Sequence, residues 1–156
     1  MVVRVLFVCL GNICRSPMAE AVFQQLVNEA GLEHEILIDS AGTGHWHVGE
    51  HAHAGTLSIL RKHGIEYNGR ARQITREDFE TFDYILTMDE DNLADVRQMK
   101  PANSPAVVKK FLDYADGVTT RDVPDPYYTG EFGKVYDLVV KGAEGLLAHL
   151  RREKGL

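Results

Sequence analysis

The chain has 156 residues, 44% of them hydrophobic and 26% charged, which suits one globular domain whose core needs no disulfide or metal staples. A formal charge of -6 at pH 7 argues against non-specific binding to nucleic acid or to an anionic membrane, both of which attract basic surfaces. Two cysteines are too few for a disulfide framework, and no apolar run has a cleavage-site pattern or approaches the roughly 18 residues of a membrane span, so the expected setting is the reducing cytoplasm.

Residues 2–8, VVRVLFV, form a β-branched and aromatic run of the kind buried on both faces of a parallel sheet. Apolar residues at helical spacing then predict a helix over 17–30, with Gly31 where a helix commonly stops. The alternation repeats: a strand over 35–40, a helix over 56–63, a strand over 83–87 and a helix over 90–100 capped by Asp89. A strand over 106–112 and a long helix over 132–152 complete it, the last with Phe132, Val135, Tyr136, Val139, Ala143, Leu146, Leu147 and Leu150 in one core-facing stripe. The expected fold is therefore α/β, a single domain over residues 1–156, with a parallel sheet flanked by helices on both faces and right-handed crossovers. Two long segments, 42–55 and 113–130, fit no element, and long loops in compact domains are commonly functional.

Chemistry in an open parallel sheet sits beyond the carboxyl ends of its strands, where Cys9 falls. The turn that follows, CLGNICRSP, contains Gly11 and Asn12, which tolerate left-handed backbone, and closes on Ser16 and Pro17 at the start of a helix. Such a loop can wrap with its N–H groups inward at the positive end of the helix dipole, as an anion nest. It lacks the glycine and lysine pattern of a nucleotide-binding loop, and it places a sulfur in the nest. Backbone donors, the dipole and Arg15 all favour thiolate at Cys9, which makes it an in-line nucleophile beneath a bound phosphate. The planar fork of Arg15 can hold two phosphate oxygens. Ser16 has two possible roles, helix cap or hydroxyl donor to the sulfur. Expelling an alkoxide or phenoxide also needs an acid, and Asp125 in VPDPYYTG, set between two prolines and beside Tyr127 and Tyr128, is the candidate.

Together these motifs resemble the low-molecular-weight protein tyrosine phosphatases. The similarity extends through DSAGT at residues 39–43, the single Trp46, KHGI at 62–65, ARQIT at 71–75 and DYILTMDEDNL at 83–93, in order along the whole chain. It implies a three-layer fold on a four-stranded parallel sheet, and phosphotyrosine hydrolysis through a cysteinyl-phosphate with neither metal nor cofactor. By the resemblance, Cys9 is the nucleophile, Arg15 clamps the phosphate and Asp125 is the acid and later the base. Leu10, Gly11, Asn12, Ile13, Cys14 and Ser16 build the phosphate loop, with Asn12 holding its shape, Ser16 bonding the thiolate and Ser40 supporting it from behind. Leu10, Ile13, Trp46, Tyr127 and Tyr128 wall the substrate ring. Cys14 is implied as a disulfide partner that shields Cys9 from irreversible oxidation. The implied partners are phosphotyrosine proteins, with inorganic phosphate as product, and a monomer or weak dimer.

Three positions depart from the family pattern. Gly69 stands where vertebrate members have a histidine in the network behind the loop, and His53 and Gly55 stand where many relatives have an acidic residue and an arginine. Four other readings are weaker. His45, His47, His51 and His53 match no metal-ligand spacing and are expected to form a polar rim beside Trp46. Arsenate reductases of this architecture use cysteines downstream of the loop, and none follows Cys14. Phosphoarginine phosphatases have threonine where this chain has Ile13, and a non-catalytic phosphate-binding or redox-sensing module could dispense with its nucleophile or acid, which this chain keeps.

Overall fold

The computed structural model describes residues 2–156. Four strands, β1 (Val3–Cys9), β2 (Ile36–Gly42), β3 (Tyr84–Thr87) and β4 (Val107–Lys110), form one sheet in the order β2-β1-β3-β4. All neighbours are parallel, with Cys9 opposite Gly42 and Val8 opposite Thr87. Strand β1 is interior, so every residue in it but Arg4 is buried, which explains its near-continuous apolar run. The chain passes from β1 to β2 on one side and returns to β3 on the other. The carboxyl end of β1 is therefore the point where the strand order reverses, the place where an open α/β sheet leaves a crevice.

The two-residue period of β1 sorts its side chains between two layers. Val3, Val5, Phe7 and Cys9 face a core shared with α1 (Arg15–Glu29), α2 (Ala54–Lys62) and α6 (Phe132–Lys154). Leu6 and Val8 face the opposite core, where α3 (Asp78–Thr81) and α4 (Glu90–Met99) contribute Phe79 and Val96. Phe7 meets Phe23 and Phe111 edge to face, with centroids 5.7 and 5.1 Å away. The α6 stripe is as expected: Val135, Val139, Ala143, Leu146 and Leu150 are buried, with Phe132, Tyr136 and Leu147 partly so.

Several boundaries differ from the sequence expectation. Helix α1 begins at Arg15 rather than Pro17, so Pro17 lies inside its first turn, where its missing N–H costs no bond. Strand β4 stops at Lys110 because Phe111–Tyr114 closes into a 3-10 turn, and β2 runs on to Gly42. Helix α3 and α5 (Pro126–Thr129) are single turns of four residues, too short for periodicity to reveal. Among the described residues no helix is long and apolar enough to cross a membrane.

Helix α6 docks through its glycines: a Cβ on Gly145 would lie 1.8 Å from the Tyr114 carbonyl oxygen, whereas one on Gly133 would meet nothing within 4 Å. Gly145→Ala is therefore expected to destabilise the fold by about 1–3 kcal/mol through overpacking, read as a lower urea midpoint, while Gly133→Ala leaves the midpoint unchanged or raises it.

Candidate functional site

The loop between β1 and α1 turns on Asn12, which has φ 57° and is the one non-glycine residue with positive φ among those described. Its side chain is fully engaged. Nδ2 donates to Ser16 Oγ (2.7 Å) and to Ser40 Oγ (3.0 Å), and Oδ1 accepts from the Arg72 amide (3.0 Å). The carbonyls of Cys9, Leu10 and Ile13 accept from the amides of Thr43, Gly44 and His53, and that of Cys14 accepts from Thr56 Oγ1. In a planar trans peptide the following N–H points the opposite way, so the amides of Leu10, Gly11, Cys14 and Arg15 are turned away from those partners. Gly42 permits this close approach, since a Cβ there would stand 2.8 Å from the Leu10 oxygen.

Cys9 Sγ sits at the carboxyl end of β1, 3.0 Å from Ser16 Oγ and 3.3 Å from the Asn12 amide, which donates to it. Of the two roles open to Ser16 in the sequence, the structure removes the cap and sets the hydroxyl beside the sulfur. Cys14 is the residue at the helix cap and makes no side-chain cap bond, while Ser16 faces the sulfur. Cys14 is also buried and free, and burial, aided by the charges of Cys9 and Asp125, pushes its thiol up to about 12.

Arg15 is 2% exposed and bound from two sides. Nη1 donates to Asp89 Oδ2 at 2.6 Å and to the Val123 carbonyl at 3.0 Å, and Nη2 donates to Asp125 Oδ2 at 3.3 Å. Burial opposes its charge, but Cys9, Asp89 and Asp125 outweigh that and hold its pKa above the usual value. Asp125 is fixed by its other oxygen, which accepts from the Tyr127 amide at the cap of α5.

Cys9, Leu10, Gly11, Ile13, Cys14, Arg15 and Asp125 share one pocket of about 220 Å³ with Trp46, Tyr127 and Tyr128. Asn12, Ser16 and Ser40 are buried, and their hydrogen bonds join them behind it. Trp46 lies over Gly44, where a Cβ would come within 1.9 Å of its ring, yet it remains 64% exposed and Tyr128 76%. Three of the four histidines meet the aromatic residues of the pocket: His45 at Trp46, and His47 and His53 at Tyr127, with centroids 6.2 and 6.1 Å away. His45 stacks on Trp46; His47 lines the pocket and pairs with Glu50; His53 caps α2 and stacks on Phe132; His51 makes a backbone bridge with Arg70. His53 and Phe132, with Phe132 filling the space a side chain at Gly55 would need, brace this segment by packing.

Sequence reasoning missed three supports. Asp89 was read only as a cap, and it is one, accepting from the Asn92 amide through Oδ1; its second oxygen holds Arg15. Arg72 bonds Asn12 through its amide while its guanidinium pairs with Asp39 and Asp78. Glu20 continues the network from Ser40, accepting its hydroxyl at 2.6 Å. An aspartate cap has one oxygen to spare, which is a readable hint, but the other two depend on contacts across layers.

Residues 4–156 match the sequence model described as "Low molecular weight phosphotyrosine protein phosphatase". The chain is 50% identical over 155 residues to the low molecular weight protein-tyrosine-phosphatase YfkJ of Bacillus subtilis (strain 168), covering 99% of both chains. It is 48% identical over 148 residues to the low molecular weight phosphotyrosine protein phosphatase of Schizosaccharomyces pombe (strain 972 / ATCC 24843), covering 93% of this chain and 95% of the other. Its fold is similar to the crystal structure of YfkJ from Bacillus subtilis, with a TM-score of 0.95 at 49% identity over 99% of this chain and 98% of that one. With the cysteine loop, its arginine and the distant aspartate brought to one pocket on this sheet, the chain belongs to the low molecular weight phosphotyrosine protein phosphatase family.

Proposed function

We propose that this chain, acting as one catalytic unit, hydrolyses phosphotyrosine in proteins through a cysteinyl-phosphate. The observation that carries the reading is the sulfur of Cys9, held by Ser16 and the Asn12 amide in the same pocket as Arg15 and Asp125. Cys9 attacks phosphorus in line, the phosphorus–oxygen bond of the ester breaks, and Asp125 gives its proton to the leaving phenolic oxygen. Arg15 then spreads the charge that builds on the equatorial oxygens. In the second step Asp125, now a carboxylate, takes a proton from the attacking water, and the Ser16 hydroxyl stabilises the departing thiolate.

The aromatic and apolar lining of the pocket favours aryl esters. A phenyl ring fits between Ile13, Trp46, Tyr127 and Tyr128 while its phosphate reaches the loop at the floor. Both cysteines line this pocket, which supports a protective role for Cys14. Peroxide converts the Cys9 thiolate to sulfenic acid, and the Cys14 thiol condenses with it, releasing water and forming a disulfide that a thiol reductant reverses.

Three outcomes are expected. Turnover of p-nitrophenyl phosphate is abolished in Cys9→Ser and unaffected by a chelator; turnover that survives the substitution, or that EDTA removes, contradicts the reading. Asp125→Asn lowers kcat by about 10²–10⁴-fold for a poor phenolic leaving group and far less for p-nitrophenol, measured across a leaving-group series. Activity lost to peroxide returns with dithiothreitol in the wild type and not in Cys14→Ser, whereas equal recovery of the two ends the protective role.

A further inference from the structure

Glu20 is a largely buried carboxyl on α1 that no step above uses. Its Oε1 accepts from Ser40 Oγ at 2.6 Å and from the Tyr67 hydroxyl at 2.8 Å. The donors and acceptors available limit where each proton in this chain of bonds can go. Asn12 Nδ2 gives one hydrogen to Ser16 Oγ and the other to Ser40 Oγ, and its Oδ1 is occupied by the Arg72 amide. Each serine, having accepted, places its own proton elsewhere: Ser40 on Glu20, and Ser16 toward Cys9 Sγ at 3.0 Å, nearer than the Ala41 carbonyl at 3.5 Å. Glu20 can accept two hydroxyl protons on one oxygen strongly only as a carboxylate, since charged acceptors bind about twice as well as neutral ones.

Tyr67 has this place because residue 69 is glycine. A Cβ on Gly69 would lie 2.2 Å from the Tyr67 hydroxyl oxygen, so the phenol fills the space that a side chain there would occupy. We propose that Tyr67 and Glu20 are positioning residues for Cys9, holding Asn12 and Ser16 in orientation through Ser40. This role rests on the phosphatase reading for its kinetic consequence but not for its geometry. Burial raises the pKa of Glu20 above its ordinary value; the Ser40 and Tyr67 hydroxyls pull it back, Asp39 adds to the rise, and Arg72 opposes it. The form that orders the chain is the ionised one. Losing the Tyr67 donor raises the pKa further, and the ordered form is then lost at a higher pH as pH falls.

The test is kcat/KM for an aryl phosphate against pH, with calorimetric affinity for inorganic phosphate, in wild type, Tyr67→Phe, Glu20→Gln and the double variant. Tyr67→Phe keeps the ring and its packing. It is expected to lower kcat/KM at neutral pH by about three- to tenfold, the worth of one such hydrogen bond, and to move the acid limb to higher pH. The double variant should be no worse than Glu20→Gln alone, because both act through one chain. Weaker phosphate binding in Tyr67→Phe reads the loop without any chemistry, so a wild type that binds phosphate but does not turn over would sink the phosphatase reading and leave this one standing. A Tyr67→Phe protein whose pH profile and phosphate affinity match the wild type, or whose loss only tracks a lower folded fraction, overturns the proposal.

Discussion

Asn12 commits its whole side-chain amide to three hydrogen bonds, and the shape of the loop around Cys9 depends on them. A non-glycine residue in left-handed backbone is strained by about 1–2 kcal/mol, less for asparagine than for most, and three buried hydrogen bonds at about 1 kcal/mol each are enough to offset it. The consequence reaches the sulfur directly. With Asn12 fixed, its own amide points at Cys9 and its side chain orients Ser16 to do the same. The sheet supplies the frame for this, because Ser40 and Gly42 lie on β2 opposite Phe7 and Cys9 in register, and Arg72 bonds Gly42 as well as Asn12.

The same loop gives its two sulfurs different surroundings. Cys9 is met by donors, whereas Cys14, five residues on, has its thiol pushed up to about 12 by burial and by the negative charges of Cys9 and Asp125. Arg15 reconciles a positive binding site with an acidic protein. It is buried between Asp89, from the end of β3, and Asp125, from the loop before α5, so the cation is oriented by carboxylates before any phosphate arrives. On the proposed reading, phosphate binding would exchange one anion for another around a guanidinium already out of bulk water, which limits the cost of desolvation.

How much of this was legible in the sequence depended on how local its cause is. The β1 run, the α6 stripe and the loop from Cys9 to Pro17 are contiguous patterns, and the elements and the cysteine at the pocket could be read from them. Asp125 was found because two prolines and two tyrosines mark its turn. The role of Ser16 stayed open, because a serine before a helix signals a cap, and only the register of α1 shows that the helix has already begun. Asp89, Arg72, Glu20 and Tyr67 act through partners 20 to 74 positions away, Glu20 with Ser40 at one extreme and Asp89 with Arg15 at the other, and single-sequence periodicity has no access to such pairs. Of the histidines, closeness along the chain suggested one rim, and His45, His47 and His53 do meet Trp46 or Tyr127, but the segment between β2 and α2 turns His51 into a backbone bridge with Arg70.

The central claim is that the Cys9 sulfur itself bonds to phosphorus. Rapid acid quench during turnover of an aryl phosphate, followed by mass spectrometry of the peptides, tests it most directly. The account predicts a transient phosphoryl group on the peptide containing Cys9, located on that sulfur and formed no more slowly than the phenol is released. Phenol released in full turnover with no phosphoryl-cysteine at any time, or with the label on another residue, would contradict it.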